Sequence, residues 1–477
     1  MSFQGRISLM STTTAMRTTT ALPTLMACAR ILRVQIRPDH RQVPSQKEKL
    51  SLRELNDSAY GGIVPRRSVL CERIRLNTTR DLTSGSAGYC EKTMETVADM
   101  NNLYEAFKAS MKGSAWKEEP QRFEMDFLSE LTALQNELLE KTYKTLPGSE
   151  FTLNERGHIR HIHGGRMRDR VVRHCLCDNV LGPSLAPYLI YNNGASQTGK
   201  GVSFARENFE RDLHNYYLEH GNADGYVGFM DVSKFYDNIR HDYVKAGIYP
   251  KIDPFSAWLL GTIMEDFRVD VSYMTDDEYA CCLENKFNSV WYYENITKSA
   301  RTGEKIMEKS VEIGDQTSQD IGVFFPTPLD NYATIVRGCR RYGRYMDDIY
   351  LICETRDEVR SIIDGITDKA HELGMFINEK KTRICKLTDR YTYLQVRYFL
   401  TPSGKVVKRI STKSLTRERR RLKAYKRLLD KGEMEYDRIE QAYKSWMGTF
   451  YKIMSKRQIS NIKQLYRELY GKEPRWK

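Results

Sequence analysis

The stretch YGRYMDDIYLIC, Tyr342 to Cys353, constrains the fold of this chain more than any other. It reads as strand, turn and strand, with adjacent carboxylates, Asp347 and Asp348, between an aromatic-rich run and five uncharged residues. Charge set so close to apolar strands needs a partner, because an uncompensated carboxylate in a poorly solvated place is costly. A bound metal pair, a capped surface turn and a salt-bridged cluster would each supply one.

A second strand candidate, YVGFMD, breaks at Asp231. Side chains alternate across a strand, but a hairpin turn relaxes that rule. Asp347 can therefore face Asp231 from a neighbouring strand while Asp348 stands at the edge of the same site. Neither segment offers these carboxylates an evident cationic partner. Held together they repel, and a divalent cation relieves the repulsion more completely than protonation does. On spacing alone the plainer reading stays open, in which Asp231 caps a turn and Asp347 and Asp348 are ordinary hairpin-turn residues.

Of the 477 residues, 40% are hydrophobic and 29% charged, the pattern of a water-soluble protein with room for more than one lobe. No run is long enough to cross a bilayer, and residues 1–30 lack the apolar block of a secretory signal. A cytoplasmic location and no membrane partner are expected. The ten cysteines include Cys175 with Cys177 and Cys281 with Cys282 but no repeated CxxC, which fits buried thiols better than disulfides or zinc. The formal charge of +13 is uneven: residues 405–477 hold 22 Lys or Arg against 8 Asp or Glu, the first 95 are also basic, and the block between is net acidic. That division suits a chain that holds cations in one lobe and a phosphate backbone on another.

Residues 1–95 keep no sustained period and are expected to form a poorly structured basic extension. Helices are predicted over 100–112, 119–143, 169–180, 202–220, 241–266 and 356–373. The last of these carries Val359, Ile362, Ile363, Ile366 and Ala370 on one face. Pro326 and Pro328 must interrupt the helical pattern around them. Residues 268–311 read as an inserted polar lobe and 391–410 as a hairpin with its tip at 402–404. Three helices are predicted from Arg417 onward, the middle one striped by Tyr436, Ile439, Tyr443, Trp446, Phe450 and Met454.

YMDD between apolar strands, preceded by FMDVSKFYDNI, resembles the catalytic core of reverse transcriptases. RMRDRVVRHCLCDNVLGPSL is similar to the fingers segment of the bacterial enzymes, and IGDQTSQ to the glycine-containing segment under template and nucleotide. GMFINEKKTRI resembles a further palm segment and YLQVRYFL the primer grip. The likeness covers most of residues 100–470, and its IG…SQ form resembles diversity-generating-retroelement and unassigned or defence-associated groups.

The resemblance implies an α+β right-hand polymerase, with fingers over 96–225, a palm built on an antiparallel sheet over 226–400 and a helical thumb over 401–477. The 268–311 insertion belongs to the palm. The implied reaction is RNA-directed addition of dNTPs to the 3′-hydroxyl of a DNA or RNA primer, with two Mg²⁺ ions or Mn²⁺ in their place. Asp231 and Asp347 would be the principal metal ligands, Asp348 the supporting one, and the Val232 carbonyl a further oxygen. Tyr236 would crowd the sugar 2′-position, where the plainer reading is a core aromatic beside Phe235. Gly314 would bring its backbone close to the nucleotide, and Arg160 would meet the triphosphate. Lys380, beside Lys381, would stand near the leaving pyrophosphate, against a solvated turn as the plainer reading. Ile313 occupies the position where the family usually has glutamine, which leaves fidelity open.

In KVVKRISTKSLTRERRRLKAYKRLL, the residues Lys408, Arg409, Lys413, Arg417, Arg420 and Lys423 are the expected contacts to nucleic-acid phosphates. His158, His161 and His163 read as solvated or template-contacting imidazoles rather than zinc ligands. Two alternatives accompany the polymerase reading. One is a defence-associated enzyme that copies a dedicated noncoding RNA or extends DNA without a conventional template, beside which a retroelement enzyme working with a small accessory protein is a further context. The other is a catalytically idle RNA-binding scaffold. No endonuclease, maturase or ribonuclease H segment is expected after the last helix.

Overall fold

The computed structural model describes residues 96–155, 158–289 and 295–474, and the extension expected over 1–95 lies outside them. The described residues of Ser84–Thr152 and Arg160–Lys477 form one compact unit, a mixed α+β arrangement of helices and small antiparallel sheets. The described residues of Leu153–Ile159 fall in a separate unit.

Helices α1 (Met100–Met111), α2 (Glu118–Met125) and α3 (Phe127–Leu139) come first. The helix predicted over 119–143 breaks at Asp126, whose φ of −130° and ψ of 34° leave helical space. Strands β1 (Ser149–Glu155) and β2 (His158–Gly164) lead to α4 (Met167–Leu176), which runs on into a π-turn, and then to α5 (Val202–His220) and β3 (Tyr226–Ser233). The helix predicted over 241–266 is two, α6 (His241–Ile248) and α7 (Pro254–Glu265). Asp253 caps the second by accepting from the N–H groups of Phe255 and Ser256, and Pro254 suits its first turn.

The predicted insertion is a small lobe: β4 (Val269–Asp270) and β5 (Ile306–Met307) pair, and α8 (Asp276–Glu284) packs over Val269, Val271, Phe287 and Met307. Lys309 ties α8 to the rest of the lobe. It is 0% exposed, and its ammonium donates to the carbonyls of Cys282, Leu283 and Asn285 at 3.1, 3.3 and 2.7 Å, acceptors that the end of α8 leaves unsatisfied. Lys309→Met is expected to lower unfolding stability by about 1–3 kcal/mol in denaturant titrations at neutral pH, since it strands those acceptors. Burial pulls the Lys309 pKa down from 10.5 to about 8. Between those values the unfolded chain binds the extra proton, so this group makes stability rise with pH, and the gap between wild type and variant should widen over that window.

After α9 (Gln316–Phe324) and α10 (Thr327–Asn331), divided at Phe325 and Pro326 as the prolines predict, come β6 (Tyr342–Tyr345) and β7 (Asp348–Cys353). Next are α11 (Arg356–Glu372), β8 (Phe376–Ile377) and β9 (Arg383–Lys386). The main sheet runs β6–β7–β3–β8, with β9 also paired to β3, all antiparallel. The α11 face is the one its spacing predicts, with Val359, Ile362, Ile363, Ile366 and Ala370 all buried. It lies so close to β3 that a Cβ on Gly228 would come within 2.7 Å of Val359 Cγ1. Alternate residues of β3 and β7 serve two cores. Met230, Val232, Ile349 and Leu351 join the α11 side, whereas Val227, Phe229, Tyr350 and Ile352 pack with Phe209 of α5 and with Tyr391, Tyr393 and Tyr398.

Those tyrosines belong to a second sheet, β10 (Tyr391–Tyr393), β11 (Val396–Leu400) and β12 (Val406–Ile410). The terminal helices α12 (Thr412–Asp430), α13 (Tyr436–Phe450) and α14 (Lys456–Tyr470) share a third core. α12 starts before the predicted Arg417, because Ser411 caps it by accepting from Ser414 N–H at 3.1 Å. In α13 the buried stripe is Ile439, Tyr443, Met447 and Phe450; Trp446 is only partly buried. Among the described residues no helix is long and apolar enough to cross a membrane.

Candidate active site

The register of the main sheet sets Asp231 of β3 directly opposite Asp348 of β7. Tyr345 pairs with Asp348, leaving Met346 and Asp347 as a two-residue turn in which Met346 takes a left-handed φ of 53°. The turn is pinned to β3, since Val232 N–H donates to the Asp347 carbonyl at 3.2 Å. Asp231 and the adjacent Asp347 and Asp348, more than a hundred residues away along the chain, thus share one sheet end.

Their electrostatics follow from crowding. Burial, then Asp347 and Asp231, pushes the Asp348 carboxyl up to about 7. Burial and Asp231 raise Asp347, against the pull of Lys381 and Arg160. The arginine beside them in β6, Arg344, is held by Asp330, and the cation that the sequence reading did not find comes from elsewhere. The Lys381 ammonium, in the turn between β8 and β9, lies 2.8 and 3.0 Å from the two Asp231 carboxylate oxygens. Asn378 adds its side-chain amide at 3.3 Å to the same carboxylate and its backbone N–H at 2.7 Å to the Asp231 carbonyl. Lys381 thus reaches the Asp231 carboxylate, although it and its neighbour Lys380 are both exposed.

Burial and then mutual repulsion hold a proton on Asp348 near neutrality, and a divalent cation would relieve the repulsion, so the donor chemistry fits such an ion. The side chains as they stand are not a ready-made cage: among the described residues no group of three or more His, Cys, Asp or Glu could hold a metal ion.

The other predicted residues gather nearby to different degrees. Tyr236 lies edge-on to Phe235, 5.4 Å between ring centres, and against Gly322 of α9; burial and then Asp347 push its hydroxyl pKa up. Exposed Arg160 is near enough to lower both Tyr236 and Asp347. Gly314 has φ +104°, so its backbone conformation rather than lack of space calls for glycine. The next residue, Asp315, caps α9 and receives the buried Arg173 guanidinium at 2.7 Å, and the same arginine meets Asp266 at 2.5 Å. His163, expected to be solvated or to contact the template, pairs with Glu312, and both are largely buried.

The basic segment divides. Lys408 donates to Glu210 of α5 at 2.7 Å, an internal ion pair that occupies this expected phosphate contact. Arg409, Lys413, Arg417, Arg420 and Lys423 are exposed, and the last four follow one side of α12 opposite buried Leu415, Leu422 and Tyr425.

Sequence reasoning missed the Arg344–Asp330 pair, the most buried charges near the site. Both side chains are 0% exposed, with the Arg344 Nε and a terminal nitrogen on the Asp330 carboxylate at 2.7–3.1 Å and the Tyr342 hydroxyl donating to it at 2.8 Å. A lone arginine within the apolar strand YGRY was the available signal.

No family model matches this chain, and neither does any curated protein. Among solved structures, telomerase from Candida albicans in complex with a fragment of telomeric RNA is similar over 69% of this chain and 60% of that one, at 10% identity and a TM-score of 0.36. A likeness of that size carries no argument about fold or function.

Proposed function

We propose that this chain is an RNA-directed DNA polymerase of right-hand form, with fingers, palm and thumb following the divisions expected from sequence. The observation that carries the reading is the meeting of Asp231, Asp347 and Asp348 at one sheet end beside Lys381. Two Mg²⁺ ions, when bound to those carboxylates, would supply Lewis acidity at the primer 3′-hydroxyl and offset charge on the triphosphate. Lys381 balances the charge of Asp231 in their absence, and its ammonium is the group at hand to meet phosphate oxygens once released. Arg160 adds a second cation on the nucleotide side. The exposed stripe of α12 takes the duplex backbone.

The reading is tested with the purified chain, an RNA template, a DNA primer and labelled dNTPs. Mg²⁺-dependent extension that EDTA abolishes is expected. Specific RNA binding without incorporation on templated or untemplated primers would favour the idle scaffold instead. Tyr236→Ala is expected to raise ribonucleotide use relative to dNTPs by roughly tenfold, since a steric sieve loses its wall. An unchanged ratio assigns Tyr236 to packing against Phe235 and Gly322. Hybrid binding should weaken steeply with salt, and reversing Lys413 and Arg417 to glutamate should flatten that slope by about one unit for each phosphate no longer neutralised.

A further inference from the structure

On the α6 side of α9 lies a cavity of about 450 Å³ that shares no lining residue with the carboxylate site. It owes its existence to two features already legible in the chain. The break between α9 and α10 at Pro326 prevents one helix from running on through the gap, and Gly247 withholds a side chain from the facing surface of α6. The walls are aromatic and aliphatic: Tyr188, Tyr243, Phe324 and Pro328 are among them. Lys251 is the cationic residue of the lining. Its ammonium donates to the Gly247 carbonyl at 2.6 Å and lies 4.8 and 5.3 Å from the ring centres of Tyr188 and Phe324.

We infer that this cavity is a binding site for a small aromatic molecule carrying one anionic group. The volume lies in the range that holds compact ligands, and the lining has the composition of such sites, apolar walls with few polar groups. The ammonium selects the charge. Among the described residues Lys251 meets one carbonyl and two ring faces but no carboxylate, so a ligand carboxylate or sulfonate would complete it, while the rings accept a flat apolar body. A side chain added at Gly247 would grow toward Phe324, the nearest atom lying 3.4 Å from its Cβ, and so into the space the ligand needs.

The test uses two fluorescent probes on the full chain: anilinonaphthalene sulfonate, which is aromatic and anionic, and N-phenyl-1-naphthylamine, its neutral counterpart. Wild type is expected to bind the sulfonate saturably at one site. Gly247→Leu should abolish binding of both probes. Lys251→Met should weaken the sulfonate about tenfold, the worth of one charge-assisted hydrogen bond, and leave the neutral probe unchanged. Circular dichroism and melting curves establish that each variant is folded. Should Gly247→Leu not fold, the contrast between the two probes in Lys251→Met decides alone. Non-saturable binding by wild type, equal binding by a folded Gly247→Leu, or equal loss of both probes in Lys251→Met would overturn the assignment.

Discussion

Replacing Asp347 by asparagine is expected to lower metal-dependent dNTP incorporation by at least about a thousandfold, because the change removes one of three carboxylates on which positioning and charge compensation depend. The substitution keeps shape and takes away charge. Burial and Asp231 already disfavour the ionised form of Asp347, so the variant loses a repulsion rather than an attraction. Its melting temperature in EDTA should therefore be equal to or above that of wild type, while added Mg²⁺ should stabilise it less. Opposite movements of activity and stability mark a functional carboxylate. A mere turn residue would behave otherwise: Asp347→Asn would then leave incorporation untouched, and that result would end the polymerase reading.

Much of this arrangement is written in local pattern. The face of α11 is set by five apolar residues at three- and four-residue spacing, and its buried stripe is the one that spacing predicts. The turn between β6 and β7 is legible because Asp347 and Asp348 interrupt the apolar run, although the turn itself is Met346 and Asp347. What pattern does not reveal is which distant cation arrives. Lys381 and Lys380 are adjacent and chemically identical, and only the path of the chain from β8 through Asn378 decides which reaches Asp231. Lys408 reads as a free basic residue until α5 brings Glu210 beside it. The break at Asp126 is hidden for a different reason, since helical periodicity continues on both sides and the divided helices bury residues in the same core, whereas the break before Asp253 is marked by Pro250 and Pro254.

Asp330→Ala should be among the most destabilising single changes in the protein, costing about 3–5 kcal/mol, because it leaves the Arg344 guanidinium buried without its counter-charge. Three segments converge on Arg344. Its backbone exchanges hydrogen bonds with Asn192 and Gly194 at 3.1 and 3.0 Å, one terminal nitrogen reaches both the Val323 carbonyl at 2.8 Å near the end of α9 and Asp330 on α10, Nε also meets Asp330, and the other terminal nitrogen reaches the Met346 carbonyl at 3.4 Å. It sits on β6, two residues before the turn that carries Asp347, so this pair fixes the strand from which the carboxylate turn projects. Arg344→Lys should not substitute, since an ammonium cannot hold both carboxylate oxygens and the carbonyl with one rigid fork. Replacing both partners by apolar residues should recover much of the loss, because an empty apolar site costs less than a buried lone charge. Denaturant unfolding of the two single variants and the double variant measures this directly. Additive losses would mean that the two charges are held independently and that β6 is positioned by its backbone bonds alone.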